Sequence, residues 1–161
     1  MANKYITTGA EITTVIANLE KLYEEHREEL NLKNIYNYDE MRPSQEPALA
    51  IVFNNGTMTP MTLGWAIPES AALGGGSRCG CSVFFINITL FLYLESLNIG
   101  RDTFVHLGAL NNMAKIAYKN AGLYGLCTQP MLVTNVTLVG RRLATNVYLT
   151  GQMDLTVPVR F

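Results

Sequence analysis

CSVFFINITLFLYLE, residues 81–95, is the longest apolar run in the chain. Its even positions are Phe84, Ile86, Ile88, Leu90, Leu92 and Leu94. Its odd positions are Phe85, Asn87, Thr89, Phe91, Tyr93 and Glu95. One side is purely apolar and the other mixed, which is the period of two expected of a strand with one buried face. The β-branched and aromatic residues suit a pleated surface. No helical face collects the polar residues, and the run is shorter than the ~20 residues with which a helix crosses a bilayer. At about 3.3 Å per residue the strand reaches roughly 40–50 Å, well past the common five or six residues. It must bend or project beyond its domain. The even face calls for a layer of helices. The odd face is too apolar for open water and too polar for a core. It predicts a surface that another protein covers, with Phe85, Phe91 and Tyr93 as contact residues.

The 161 residues suit one domain, 1–161, with a sizeable core. Charged residues make up 16% of the chain, below the usual ~25%, which points to surface buried in an assembly. Residues 1–47 carry nine acids and five bases, net −4; residues 48–161 carry four acids and seven bases, net +3. An acidic helical end and a mildly basic sheet can attract each other head to tail; a Glu-rich solvated helix face gives the same figures. Nothing is basic enough to argue sequence-specific nucleic-acid binding. The three cysteines, Cys79, Cys81 and Cys127, are odd in number and follow no leader-like stretch, so reduced thiols are expected. Cys79-Gly-Cys81 lacks nearby partners for a metal, and no cofactor is expected.

Along the chain, Thr8–Glu11 has the form of a capping box. Ile12, Val15, Ile16, Leu19, Leu22, Tyr23 and Leu30 then form one stripe at helical spacing, predicting a helix to about Leu30. Ile35, Tyr36 and Tyr38 suggest a short edge strand. ALAIVF, 48–53, reads as a buried central strand, and Asn54-Asn55-Gly56 as a turn. Residues 55–80 are irregular and longer than an ordinary loop. They hold Trp65, the only tryptophan, and Gly74-Gly75-Gly76. The glycines lack the Gly-Lys-Ser/Thr ending of a phosphate loop and precede a strand. Two readings of this arm stand: ordered by a partner with Trp65 as anchor, or a flap with Trp65 in the core. A second helix is expected from Asp102, as cap, to about Asn120, its apolar side formed by Phe104, Leu107, Leu110, Met113, Ala114, Ala117 and Tyr118. His106 falls near that side and reads as structural. Gly122 fits a helix stop. Residues 131–139 alternate as a strand, and Gly140-Arg141-Arg142 suits a turn. Residues 143–149 and 152–161 read as further strands, with Pro158 at an edge or paired on one side only.

No catalytic constellation is visible: no Gly-x-Ser-x-Gly, no His-x-x-x-His, and few acids outside the first helix. An enzyme is not expected. The fold class is α+β: a mostly antiparallel sheet with two helices packed on one face, plus the long arm.

The order of elements carries a resemblance. The opening amphipathic helix, ALAIVF at 48–53, VFFINITLFLYLE at 83–95, the helix from Asp102 and MDLTVPVRF at 153–161 together resemble the tail-terminator proteins of long-tailed bacteriophages and the related tail-completion proteins of the neck. The resemblance covers nearly the whole chain and rests on layout and size, not on a motif. It implies a homo-oligomeric ring of six on the end of a tail tube, partnered by tail-tube and neck or connector proteins. It implies a place in the virion tail or neck, with assembly in the host cytoplasm. It brings no catalytic residues, no membrane and no cofactor. The arm at 55–80 is larger than in compact members. The alternative is another phage structural protein of the same neighbourhood, a tail-tube or head–tail stopper subunit, told apart by whether it polymerises openly or stops at a closed ring. A small cytoplasmic ligand-binding α+β module is a reading of another class.

Overall fold

The computed structural model of the chain describes residues 8–37, 47–60, 82–94, 99–127, 129–143 and 146–160. The expected strand at 81–95 forms as β3 (Ser82–Leu94), at the centre of a five-stranded sheet. The other elements are α1 (Thr8–Glu25), β1 (Asn34–Tyr36), β2 (Ala48–Pro60), α2 (Ile99–Lys119), β4 (Leu132–Leu143) and β5 (Asn146–Arg160). The strand order is β1-β2-β3-β5-β4. Of the pairs in this sheet only β1 and β2 run parallel; every other pair is antiparallel. The class is α+β, with both helices on one face of a mostly antiparallel sheet.

The even side of β3 makes the core. Ile86, Ile88, Leu90 and Leu92 are fully buried with Leu49 and Ile51 of β2 and Met153, Leu155 and Val157 of β5. α1 lies over β1 and β2 and adds Val15, Leu19, Leu22 and Tyr23. α2 lies over β5 and β4 and adds Leu110, Met113, Ile116 and Ala117. The two helices are tied together where Tyr23 Oη donates to the Met113 carbonyl at 3.2 Å. That bond satisfies the one polar atom of a buried ring. Burial also raises the Tyr23 phenol pKa far above its ordinary range.

α1 gives way to turns after Glu25, yet its last turn is closed at Leu30, where the hydrophobic stripe ends. Leu32 N–H donates to the Arg27 carbonyl at 2.9 Å and Asn31 N–H to the Glu28 carbonyl at 3.1 Å, with Asn31 at φ 52°. This is a Schellman cap with asparagine in the left-handed position that glycine usually takes. Arg27 fastens it: its guanidinium donates to the Leu32 carbonyl at 3.0 Å, to Glu24 at 2.8 Å and to the Lys33 carbonyl. The capping box expected at 8–11 lies outside the described side chains.

Several expectations are corrected. Asn54-Asn55-Gly56 does not turn. β2 passes through it with a one-residue bulge between Phe53 and Asn55 and pairs with β3 as far as Pro60 and Ser82. Residues 55–60 therefore belong to the sheet and not to the arm, and 61–81 lie outside the described residues. Gly140-Arg141-Arg142 is inside β4, and Leu143 pairs with Asn146. The strands expected at 143–149 and 152–161 are replaced by one strand over 146–160, β5. Gly151, in its middle, is a packing site: a Cβ there would stand only 2.8 Å from Leu110 Cγ. Pro158 is paired on the β3 side, while the β4 ladder stops at Thr156, which is how a central strand tolerates it.

α2 differs most. It begins at Ile99, so Asp102 sits inside its first turn and not ahead of it. Its inward side is His106, Leu110, Met113, Ile116 and Ala117, while Phe104 is 84% and Tyr118 80% exposed. The expected stripe runs from the buried side round to Phe104 and Tyr118, which stand among Asn111, Lys115 and Lys119 on the outward side. Gly122 does not take the left-handed conformation of a helix-stop glycine; Leu123, Tyr124 and Gly125 after it do, at φ 44°, 58° and 80°.

Candidate assembly surface

Among the described residues no helix packs on the odd face of the sheet. Its register is read from the cross-strand pairs. Ala48, Tyr93, Thr150 and Val139 form one row; Ala50, Phe91, Gln152 and Thr137 the next. Val52, Thr89, Asp154 and Asn135 follow, then Asn55, Asn87, Thr156 and Leu132, then Thr57, Phe85 and Pro158.

The third and fourth rows form a hydrogen-bonded ladder across four strands. Thr89 Oγ1 donates to Asp154 Oδ1 at 2.8 Å and accepts from Asn54 Nδ2. Gln152 Nε2 donates to the same carboxylate oxygen at 3.3 Å, and Asn135 Nδ2 to the other at 3.3 Å. Thr156 Oγ1 donates to Asn87 Oδ1 at 2.9 Å, and Asn87 Nδ2 donates to Asn55 Oδ1 at 2.5 Å. Both β2 and β4 bulge at this level. Asn54 is the extra residue in β2 and Thr134 the extra residue in β4, and Thr134 Oγ1 donates to the Asp154 carbonyl at 3.3 Å. A bulge interrupts the backbone ladder, and here side chains of the bulged strands bond back onto the sheet.

Of the expected contact residues, Phe85 and Phe91 are half-buried on this face, about 20 Å apart along β3. Tyr93 is 3% exposed, gathered with Ala48 and Ala50, and Tyr36, Val52 and Phe91 pack against them. Tyr93 is thus already covered within the chain. Trp65 lies outside the described residues.

Beyond the outward Phe104, Val105, Leu107 and Tyr118 of α2, exposed apolar side chains sit at the sheet edges, which the sequence does not single out. On the outer strand β4, Leu132 is 58% exposed, and Val136 and Val139 are nearly half exposed. On β2, across the sheet, Phe53 is exposed. β1 pairs only with Ala48, Leu49 and Ala50; from Ile51 onward β2 has no second strand partner among the described residues.

Other ionisable groups sit away from this surface. Tyr124 Oη donates to Glu25 at 2.6 Å, and the Lys21 ammonium lies 4.5 Å from the centre of its ring. Desolvation, then the hydrogen bond and charge of Glu25, push the Tyr124 phenol up to about 12. Burial pushes the Cys127 thiol up to about 11, which makes it a poor nucleophile near neutrality. His106 is buried on α2 and its Nδ1 has no hydrogen-bond partner. Among the described residues no three His, Cys, Asp or Glu side chains gather as a metal site, and no helix is long and apolar enough to cross a membrane.

No protein-family model matches the chain, and no curated protein matches it.

Proposed function

We propose that this chain is a structural subunit of a phage tail. It assembles into a closed ring of six at the head-proximal end of the tail tube, ends tube growth and joins the tail to the neck. The observation that carries the reading is the pair of unlike sheet edges, each with apolar side chains exposed beside it. Long edges of this kind invite pairing with another chain unless something covers them. Unlike edges on opposite sides of one subunit make head-to-tail contacts, which close into rings or run on as filaments. The low charge content and the half-buried Phe85 and Phe91 fit a subunit whose surface is shared with neighbours. The partners are other copies of the chain, the tail-tube protein below and neck or connector proteins above. The place of work is the virion tail, and assembly takes place in the host cytoplasm. A tail-tube or stopper subunit is the alternative, and it differs in whether growth stops at one ring. Electron microscopy of the purified protein, alone and mixed with tail tubes, tests the reading. Rings capping tube ends support it; subunits bound along tube sides, or none bound, refute it.

A further inference from the structure

The ring reading leaves open how one subunit meets the next, and the strand polarities narrow the answer. We infer that the outer edge of β4 of one copy adds to the outer edge of β2 of the next, with the strands antiparallel. The inference rests on the ring reading and names its interface.

Three observations carry it. The first is availability. No strand among the described residues lies outside β4, and β1 pairs only with Ala48–Ala50 of β2. Among the described residues, backbone donors and acceptors along β4 and along 51–60 of β2 therefore lack a strand partner on one side.

The second is polarity. β2 is antiparallel to β3, β3 to β5, and β5 to β4, so β4 runs antiparallel to β2. Placing a second copy beside the first without flipping it brings β4 against β2 in the antiparallel sense. The alternation of the sheet continues across the junction, and the helices of both copies stay on one side. Pairing β4 with β4 would require a two-fold axis, would bury that edge in a dimer and would leave β2 bare.

The third is stagger. The free part of β2 lies toward the Ser82 end of β3, and the regular part of β4, beyond its bulge, lies toward the Leu94 end. The two meet only if neighbouring copies are displaced along the strands. Closing a sheet into a barrel requires strands that tilt and stagger in this way. Phe53 on β2 pairs with Ile88 and Val136 on β4 with Met153, so both stand on the helix side of the sheet, where each can cover the other; both are exposed in the single chain.

The test uses two full-length variants, each blocked at one edge by lysines, a device that natural edge strands use. Val136→Lys with Val139→Lys blocks β4. Phe53→Lys with Thr57→Lys blocks β2, and Thr57→Lys alone serves if loss of Phe53 unfolds the protein. Circular dichroism checks that each is folded, and analytical ultracentrifugation reads the size. Each variant alone is expected to be a monomer under conditions where the wild type forms rings. Mixed in equal amounts, they are expected to form a heterodimer and nothing larger, because one good β4 edge meets one good β2 edge. Rings of wild-type size from either variant overturn the edge inference and leave the ring reading standing. A dimer formed by the β2-blocked variant alone shows β4 pairing with β4 and also overturns it. A wild type that stays monomeric, alone and with tail tubes, refutes the ring reading and the interface with it.

Discussion

Thr89 on β3 donates to the Asp154 carboxylate on β5 at 2.8 Å, on the level of the sheet where both β2 and β4 bulge. The pair joins two strands buried on their other face and holds the polar ladder that the bulged residues Asn54 and Thr134 complete. Thr89 is almost fully buried. Thr89→Val keeps its shape and removes a donor to Asp154 and an acceptor for Asn54. A loss of about 1–2 kcal/mol is expected, read from urea unfolding midpoints. Asp154→Ala leaves Thr89, Gln152 and Asn135 without their acceptor and is expected to cost about 1–3 kcal/mol. Wild-type stability in both variants would show that the ladder contributes nothing.

Gly151 of β5 and Leu110 of α2 are packed with no room for a methyl group between them. Leu110 is buried, and a methyl at 151 would press on its branching carbon and not only on its tip. Gly151→Ala is expected to destabilise by about 1–3 kcal/mol. In a Leu110→Ala background the same change is expected to cost much less, because the methyl then enters the space left by leucine. Thermal melting of the two singles and the double measures the coupling; strictly additive losses would contradict it.

The even face of β3 tolerates no charge. Ile88 is fully buried between β2 and β5 under the helices. Ile88→Asp places a carboxylate there without a partner, at a cost of several kcal/mol, and the variant is expected not to fold. A soluble variant that melts cooperatively would contradict the placement of this face.

These positions also show what can be read in the sequence. Strict alternation over 84–94 is visible because one face of β3 is buried by helices and the other is not. The pairing of β2 with β3 is longer than local composition suggests, because Asn54-Asn55-Gly56 has the residues of a turn. In the structure the asparagines bond across to Thr89 and Asn87, and the glycine makes room for the Phe84 ring, whose Cε2 would otherwise be 2.6 Å from a Cβ. Gly151 misleads in the same way, since contact with Leu110 is long-range and leaves no local pattern. On α2, Phe104, Leu107 and Tyr118 interrupt a polar outward face, so apolar spacing alone does not tell inward Ile116 from outward Phe104. The mixed face is legible as a strip on β3 alone. Its ladder needs Asp154 and Asn135, far away in sequence, and the free edges depend on strand order, which no local pattern records.

Cys127 carries a pH dependence with a definite sign. The folded chain holds its thiol proton up to about 11, above the ordinary value of 9.0, because burial disfavours the thiolate. The stabilisation tied to that proton is full below the ordinary value and is lost as pH rises through the folded one. In a chain with Cys79→Ser and Cys81→Ser, iodoacetamide is expected to label Cys127 far more slowly in the folded than in the urea-unfolded protein, with both held at the ordinary thiol pKa. Equal rates would contradict the burial.

Native mass spectrometry of the wild-type protein decides whether this chain closes into a ring. One assembled species of six 17.8 kDa subunits is expected, present alone or appearing when tail tubes are added. A monomer under both conditions, or an open series of masses with no closed end point, would contradict it.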